Sequence, residues 1–169
     1  MTNQKTRIEA FKRLAPIELR ELAGLWAGRG VPSGHQFDGV LENLGWFGKR
    51  FRQDMKADAL LFHGGDRRLV AVDPKWIPLR LALRWHAFGR TQAAQNLFSY
   101  LQGQMRAMGP VAELRTVAFG GVMSAAMVYD RQPIIDHFRR IDDGKIMGAM
   151  TVAGEDLIYF FELERVEGP

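Results

Sequence analysis

The sequence contains no cysteine. This excludes disulfides, thiolate nucleophiles, iron–sulfur clusters and cysteine-ligated zinc sites. No stretch approaches the roughly 20 consecutive apolar residues that cross a bilayer, and residues 1–13 are polar, without the apolar centre of a signal peptide. We therefore expect a cytoplasmic chain with no transmembrane segment.

The sequence also lacks the motifs that are typical of metal sites, nucleotide-binding sites and catalytic nucleophiles. The four histidines show no HxH or HxxxH spacing, and there is no P-loop, no dinucleotide fingerprint and no nucleophile motif. We therefore predict no metal site, and the sequence leaves any cofactor unidentified.

Apolar residues make up 47% of the 169 residues and charged residues 25%. These proportions are typical of a globular chain, and the length fits one domain over residues 1–169.

The charge is distributed unevenly along the chain. Residues 1–110 carry 17 basic and 9 acidic residues, a net charge of +8, whereas residues 111–169 carry 6 and 10, a net charge of −4. Two interpretations remain open: the basic part binds an anionic partner such as nucleic acid, or the two parts attract each other. The absence of any run of five like charges favours attraction within the chain.

Apolar spacing in the first half predicts mainly helices. A helical segment over residues 5–28 is interrupted at Pro16, a loop covers residues 29–37, and a second helix over residues 38–52 begins at Asp38. Residues 59–63 and 68–72 flank Gly64–Asp66 and are typical of a β-hairpin.

The second half is expected to be mostly β-structure. Residues 76–108 favour helices with a break at Gly89. Five alternating runs separated by turn residues then predict an antiparallel meander over residues 111–119, 121–129, 133–141, 145–152 and 157–166.

Two features of the first half point to a ligand or to close packing. On the predicted 38–52 helix, Trp46 lies beside polar residues and Gly45 and Gly48 interrupt the helix, so a neighbouring strand or a ligand should approach there. His35 and Asp38 precede the same helix. Either Asp38 caps it, or free N–H groups with His35, Lys49 and Arg50 hold an anion.

The strand at residues 133–141 has ionisable side chains on both faces, which is unusual for a half-buried strand. Asp136 lies on one face, and His137 and Arg139 lie on the other. Because a buried charge needs a partner, we expect Asp136 to pair with an arginine or His137 with a carboxylate. The alternative is a polar anchor at the end of an apolar cavity.

Two segments resemble a known bacterial family. Residues 24–28 read Gly-Leu-Trp-Ala-Gly, and residues 32–35, 38–39 and 45–51 continue a pattern that is similar to the GXWXG family as far as Pro74. Residues 125–130, 133–139 and 159–161 resemble the domain of unknown function that commonly follows it. The resemblance implies a grouping and carries no known activity.

A second resemblance concerns the fold. Lipocalin-like barrels, including the nitrobindin type, carry a Gly-x-Trp on an early strand and a basic residue near the end of the last strand, as Trp26 and Arg165 would be. We therefore predict an α+β chain with an antiparallel, lipocalin-like β-barrel or strongly curved sheet and flanking helices. Its parts are a GXWXG-like segment at 20–75, a helical connection at 76–108 and a β-meander at 109–166.

The main hypothesis is non-enzymatic binding of a small hydrophobic or amphipathic molecule, such as a fatty acid, in a barrel pocket. An isomerase or hydrolase that uses Asp/His acid–base groups is the alternative, and nucleic-acid binding with Trp46 stacking ranks last. The oligomeric state stays open, a homodimer included. The expected ligand-binding residues are Trp46, Met127, Asp136, His137, Phe138, Arg139, Met150, Tyr159 and Phe161.

Overall fold

A computed structural model describes residues 2–168, and antiparallel strands dominate it. The strands are β1 Gly24–Val31, β2 Trp46–Phe51, β3 Lys56–His63, β4 Leu69–Ala71, β5 Ala112–Phe119, β6 Val122–Tyr129, β7 Ile134–Asp142, β8 Lys145–Val152 and β9 Tyr159–Arg165.

The sheet closes on itself. Its strand order is β2-β1-β9-β8-β7-β6-β5-β3-β4, and an additional pairing of β2 with β3 joins its two ends. Eight strands thus form a barrel, while the short β4 extends β3 beyond it. A barrel of eight strands is just wide enough to be filled by side chains or to hold one small ligand. The expectation of an antiparallel, lipocalin-like barrel with flanking helices is confirmed.

The five C-terminal strands follow the expected meander closely. Strands β5 to β9 pair in chain order, and each observed strand lies within about two residues of its predicted limits. The 59–72 hairpin is also present, as β3 and β4.

The helical prediction for residues 5–28 is wrong in its second half. Helix α1 spans Thr2–Arg13 and a short 3-10 turn spans Leu19–Glu21, but residues 24–28 belong to β1. Three glycines in this strand lower its helix propensity, and pairing with β2 and β9 satisfies the backbone instead.

The predicted helix over residues 38–52 is also wrong. Helix α2 spans only Val40–Asn43, its C-cap is Leu44, and the next residue, Gly45, has a φ of +84° that suits the position after a helix end. The chain then enters β2, where aromatic side chains favour a strand. The apolar residues whose spacing suggested one helix therefore belong to two different elements, α2 and β2.

Short helices occupy much of residues 76–108. Helix α3 spans Leu79–Arg84, a 3-10 turn spans Phe88–Arg90, and α4 spans Gln92–Leu101 with Thr91 accepting a hydrogen bond from the backbone N–H of Ala94. These helices cover one side of the barrel. Among the helices of residues 2–168, none is both long and apolar enough to cross a membrane.

Strand β7 separates two packed regions. Ile134, Asp136 and Phe138 are buried inside the barrel, whereas His137 and Arg139 are buried on its outer face. The Arg139 guanidinium lies 5.3 Å from the ring centre of Phe11 on α1 and donates to the carbonyl oxygens of Leu14 and Phe119. Arg139 thus attaches α1 to the barrel.

Candidate functional site

A cavity of about 930 Å³ lies between the barrel interior and the helices that cover it. This volume falls at the upper end of the range for small-molecule sites. Its wall is almost entirely apolar. The barrel contributes Trp46, Leu60, Phe62, Ile134, Met150, Tyr159 and Phe161, and the covering segments contribute Phe37, Leu41, Leu44, Leu81, Trp85, Phe88 and Phe98.

One ion pair interrupts the apolar wall. The Nζ of Lys49 lies 2.9 Å from Oδ2 of Asp136, and the two side chains are only 3% and 1% exposed. Lys49 also donates to the carbonyl oxygen of Ala59 at 2.9 Å and to the Tyr129 hydroxyl at 3.3 Å. The Tyr129 hydroxyl donates in turn to Oδ2 of Asp136 at 3.3 Å. Buried charges persist when they are paired in this way.

Aromatic rings surround the lysine. Its Nζ lies 5.8, 5.7 and 5.1 Å from the ring centres of Trp46, Tyr129 and Phe161. Attraction of the cation to these ring faces compensates part of its lost hydration.

Irregular pairing in β2 turns Lys49 inward. Trp46, Lys49 and Phe51 are all buried, although simple alternation would place Trp46 and Lys49 on opposite faces. The pairing of β2 with β3 shifts register between Trp46 and Gly48 and again between Gly48 and Arg50. Such a bulge changes the face that the following residues occupy. Trp46 and Lys49 therefore both line the cavity.

Two residues that line the cavity each carry a buried polar atom without a partner. Within the part of the chain that the structure describes, neither Oδ1 of Asp136 nor the Tyr159 hydroxyl makes a hydrogen bond. Burial raises the pKa of the Tyr159 phenol, so it stays neutral. Unpartnered buried atoms of this kind are costly, and they are common where a ligand supplies the missing partner.

The structure divides the predicted ligand-binding residues into three groups. Trp46, Asp136, Met150, Tyr159 and Phe161 line the cavity. Met127 and Phe138 are buried in the barrel core without lining it. His137 and Arg139 lie on the outer face beneath α1, so we leave them out of the candidate site.

The ion pairs predicted for β7 differ from those observed. Asp136 pairs with Lys49 rather than with an arginine. His137 packs 4.8 Å from the Phe119 ring and 3.3 Å from the Thr151 hydroxyl, and residues 2–168 give it no hydrogen-bonded carboxylate. Asp136 and His137 face opposite sides of the sheet and do not form an acid–base pair.

The three anion-binding candidates are not brought together. Lys49 points into the barrel, whereas Arg50 lies outside and contacts Asp58 at 3.4 Å. His35 packs 5.6 Å from the Tyr159 ring. Trp46, expected on a polar helix face, is buried at 6% exposure and is not available for stacking on nucleic-acid bases.

Asp38 organises the loop before α2 rather than an anion site. Its Oδ2 accepts the backbone N–H groups of Ser33, Gly34 and His35. The His35 Nδ1 accepts the backbone N–H of Phe37 at 3.0 Å, and within residues 2–168 the Asp38 carboxylate accepts only backbone N–H groups. Asp38 therefore accepts hydrogen bonds from backbone N–H groups of the loop instead of capping a helix.

Several site residues were missed by sequence reasoning. Leu60, Phe62 and Tyr129 lie on strands that were predicted correctly, and alternation along those strands could have assigned them to the interior. The cavity-lining side chains of α2 to α4 needed the barrel closure to be known. Among residues 2–168, no group of three His, Asp or Glu side chains is placed to hold a metal ion.

Burial makes His35 sensitive to acid. Desolvation lowers its pKa from 6.5 to about 4, with Asp38 opposing the shift and His86 adding to it. An unfolded histidine binds a proton below about pH 6.5, whereas folded His35 does so only near pH 4. Stability should therefore fall as the pH drops from about 6.5 to about 4.

Urea unfolding at several pH values measures this effect. His35→Gln should flatten the slope, while His63→Gln at an exposed position should leave it unchanged. Equal slopes for His35→Gln and the unmodified chain would contradict the assignment.

Comparison with known proteins agrees with this architecture. The family model described as GXWXG protein matches residues 9–66, which contain β1, α2, β2 and β3. The chain belongs to the GXWXG family. A second model, the domain of unknown function DUF4334, matches residues 110–165, the five strands of the meander. No curated protein gives a significant match.

A solved structure is similar to this chain over most of its length. The structure titled as a protein from Thermomonospora curvata is 31% identical to this GXWXG chain, with a TM-score of 0.70. The match covers 97% of this chain and 88% of that one. The barrel and its helices thus correspond to an arrangement observed in a crystal.

The Gly-x-Trp-x-Gly motif of the family is explained by packing in β1. The Trp26 ring is buried under the Arg165 guanidinium at 4.4 Å, as the lipocalin resemblance implied, and its Nε1 donates to the carbonyl oxygen of Leu22. A Cβ on Gly24 would lie 2.9 Å from Arg165, and one on Gly28 would overlap the Trp46 ring. Each glycine makes room for a side chain that crosses it.

Proposed function

We propose that this protein binds a small hydrophobic or amphipathic molecule in the barrel cavity without acting on it. The observation that carries the proposal is an apolar cavity of about 930 Å³ with a single buried ion pair in its wall. Barrel interiors of this strand number are otherwise filled by their own side chains.

The energetics support reversible binding. A ligand that buries about 300 Å² of apolar surface gains about 7.5 kcal/mol at about 25 cal/mol per Å². The loss of translational and rotational freedom offsets part of this gain. The full gain would correspond to a dissociation constant of about 3 μM, so we expect simple apolar ligands to bind in the micromolar range or more weakly.

A neutral fluorescent probe tests the proposal directly. N-phenyl-1-naphthylamine should bind with a micromolar dissociation constant and show enhanced emission. Ala94→Phe, which adds a ring at a buried position on the cavity wall, should weaken binding at least ten-fold.

Ala93→Phe is the matched control because Ala93 is the preceding residue of α4, exposed and outside the wall. It should bind the probe normally. Absence of probe binding by folded protein, or equal weakening by both variants, would contradict the proposal.

A further inference from the structure

The contacts of Lys49 leave no free charge for a ligand. Its ammonium group donates hydrogen bonds to the carbonyl oxygen of Ala59 and to the Tyr129 hydroxyl. Its ion pair with Oδ2 of Asp136, at 2.9 Å, neutralises the charge. Lys49 thus does not offer the free positive charge that a fatty-acid carboxylate would need.

The two unpartnered atoms, Oδ1 of Asp136 and the Tyr159 hydroxyl, differ from the Lys49 ammonium because each can accept a hydrogen bond from a ligand. Oδ1 of Asp136 is an acceptor, and the neutral Tyr159 hydroxyl both donates and accepts. Neither has a partner among residues 2–168, and Asp136 is completely buried. A ligand group that satisfies Oδ1 of Asp136 must donate a hydrogen bond to it.

Charge balance further narrows the class of ligand that fits the cavity. The ion pair is neutral as a whole, so a ligand carboxylate would add an uncompensated negative charge beside Asp136, and an ammonium would add an uncompensated positive charge near Lys49. Burying an unpaired charge costs several kcal/mol. A neutral donor such as a hydroxyl leaves the balance unchanged.

We infer that the cavity selects amphipathic molecules whose buried polar end is a neutral hydroxyl, which donates to Oδ1 of Asp136, over the corresponding carboxylic acids and amines. This inference rests on the proposed function and names its ligand class. It replaces the fatty-acid-like ligand of the sequence hypothesis with an alcohol of similar apolar bulk.

Three matched ligands test the inference on the unmodified chain. Decan-1-ol, decanoic acid and decylamine share one apolar chain and differ at the polar end. At pH 7.5, decan-1-ol should displace N-phenyl-1-naphthylamine at a concentration at least ten-fold lower than decanoate or decylamine.

The outcomes separate the inference from the proposed function. If the probe itself fails to bind, the proposed function is wrong. If the probe binds but decanoate displaces it as well as decan-1-ol does, the function stands and the inference is overturned. That result would place the polar end of the ligand away from Asp136.

A charge variant supplies a second readout. Asp136→Asn keeps the size of the side chain but leaves Lys49 without its counter-charge, so decanoate should gain on decan-1-ol by at least ten-fold. Unchanged selectivity in folded Asp136→Asn would overturn the inference. Should this variant fail to fold, the three-ligand comparison on the unmodified chain still decides the matter.

Discussion

Lys49→Met is expected to lower the free energy of unfolding by about 3–5 kcal/mol, because it leaves the buried Asp136 carboxylate without its cation. Only one partner remains for Asp136 within residues 2–168, the Tyr129 hydroxyl at 3.3 Å. Methionine has nearly the shape of the lysine stem, so the loss should reflect charge rather than a cavity. Urea unfolding measures the change through the transition midpoint at constant slope.

Two further variants make the interpretation specific. Arg115→Met breaks an ion pair with Glu113 whose side chains are 64% and 44% exposed, and it should cost less than about 1 kcal/mol. Lys49→Met combined with Asp136→Leu removes both charges and should recover most of the loss, giving a large coupling energy in the double-mutant cycle. A Lys49→Met cost equal to that of Arg115→Met would show that the pair contributes little.

The C-terminal half was predictable because local signals decide its structure. In β5 to β9, turn residues separate short alternating runs, and neighbours in sequence are also neighbours in the sheet. These strands can therefore be predicted without knowledge of contacts between distant parts of the chain.

The N-terminal half was not predictable in the same way. Strand β1 pairs with β9 at the far end of the chain, and β2 pairs with both β1 and β3. Bulges in β2 break the alternation that identifies a strand, while Val40, Leu44, Phe47 and Phe51 imitate helical spacing. Tertiary pairing thus overrode the local pattern.

The site shows the same division. Asp136 stood out from the sequence because both faces of its strand carry ionisable groups, and a charge on the face that turns inward needs a partner. Its partner, Lys49, lies far away in sequence and was grouped with His35 and Arg50 under a helical interpretation. Only barrel closure and the bulge in β2 bring Lys49 to Asp136, and no local pattern encodes either.

Gly48→Ala is expected to destabilise the protein by about 3 kcal/mol or more. Gly48 pairs with Ala27 of β1 and with Leu61 of β3. An added Cβ would overlap the carbonyl oxygen of Trp26 and lie 3.0 Å from the backbone nitrogen of Gly28. Both obstacles are backbone atoms, so no side-chain rotation relieves the overlap, and β1 must move away from β2 where the barrel closes.

A graded series of glycine variants tests this explanation. Gly28→Ala should cost less than Gly48→Ala, because its obstacle is the Trp46 ring, a side chain that can shift toward the cavity. Gly103→Ala meets open space and should change the free energy of unfolding by no more than about 0.5 kcal/mol. The urea midpoint should therefore be highest for Gly103→Ala, lower for Gly28→Ala and lowest for Gly48→Ala. Equal midpoints for Gly48→Ala and Gly103→Ala would mean that β1 and β2 are not packed closely at Gly48.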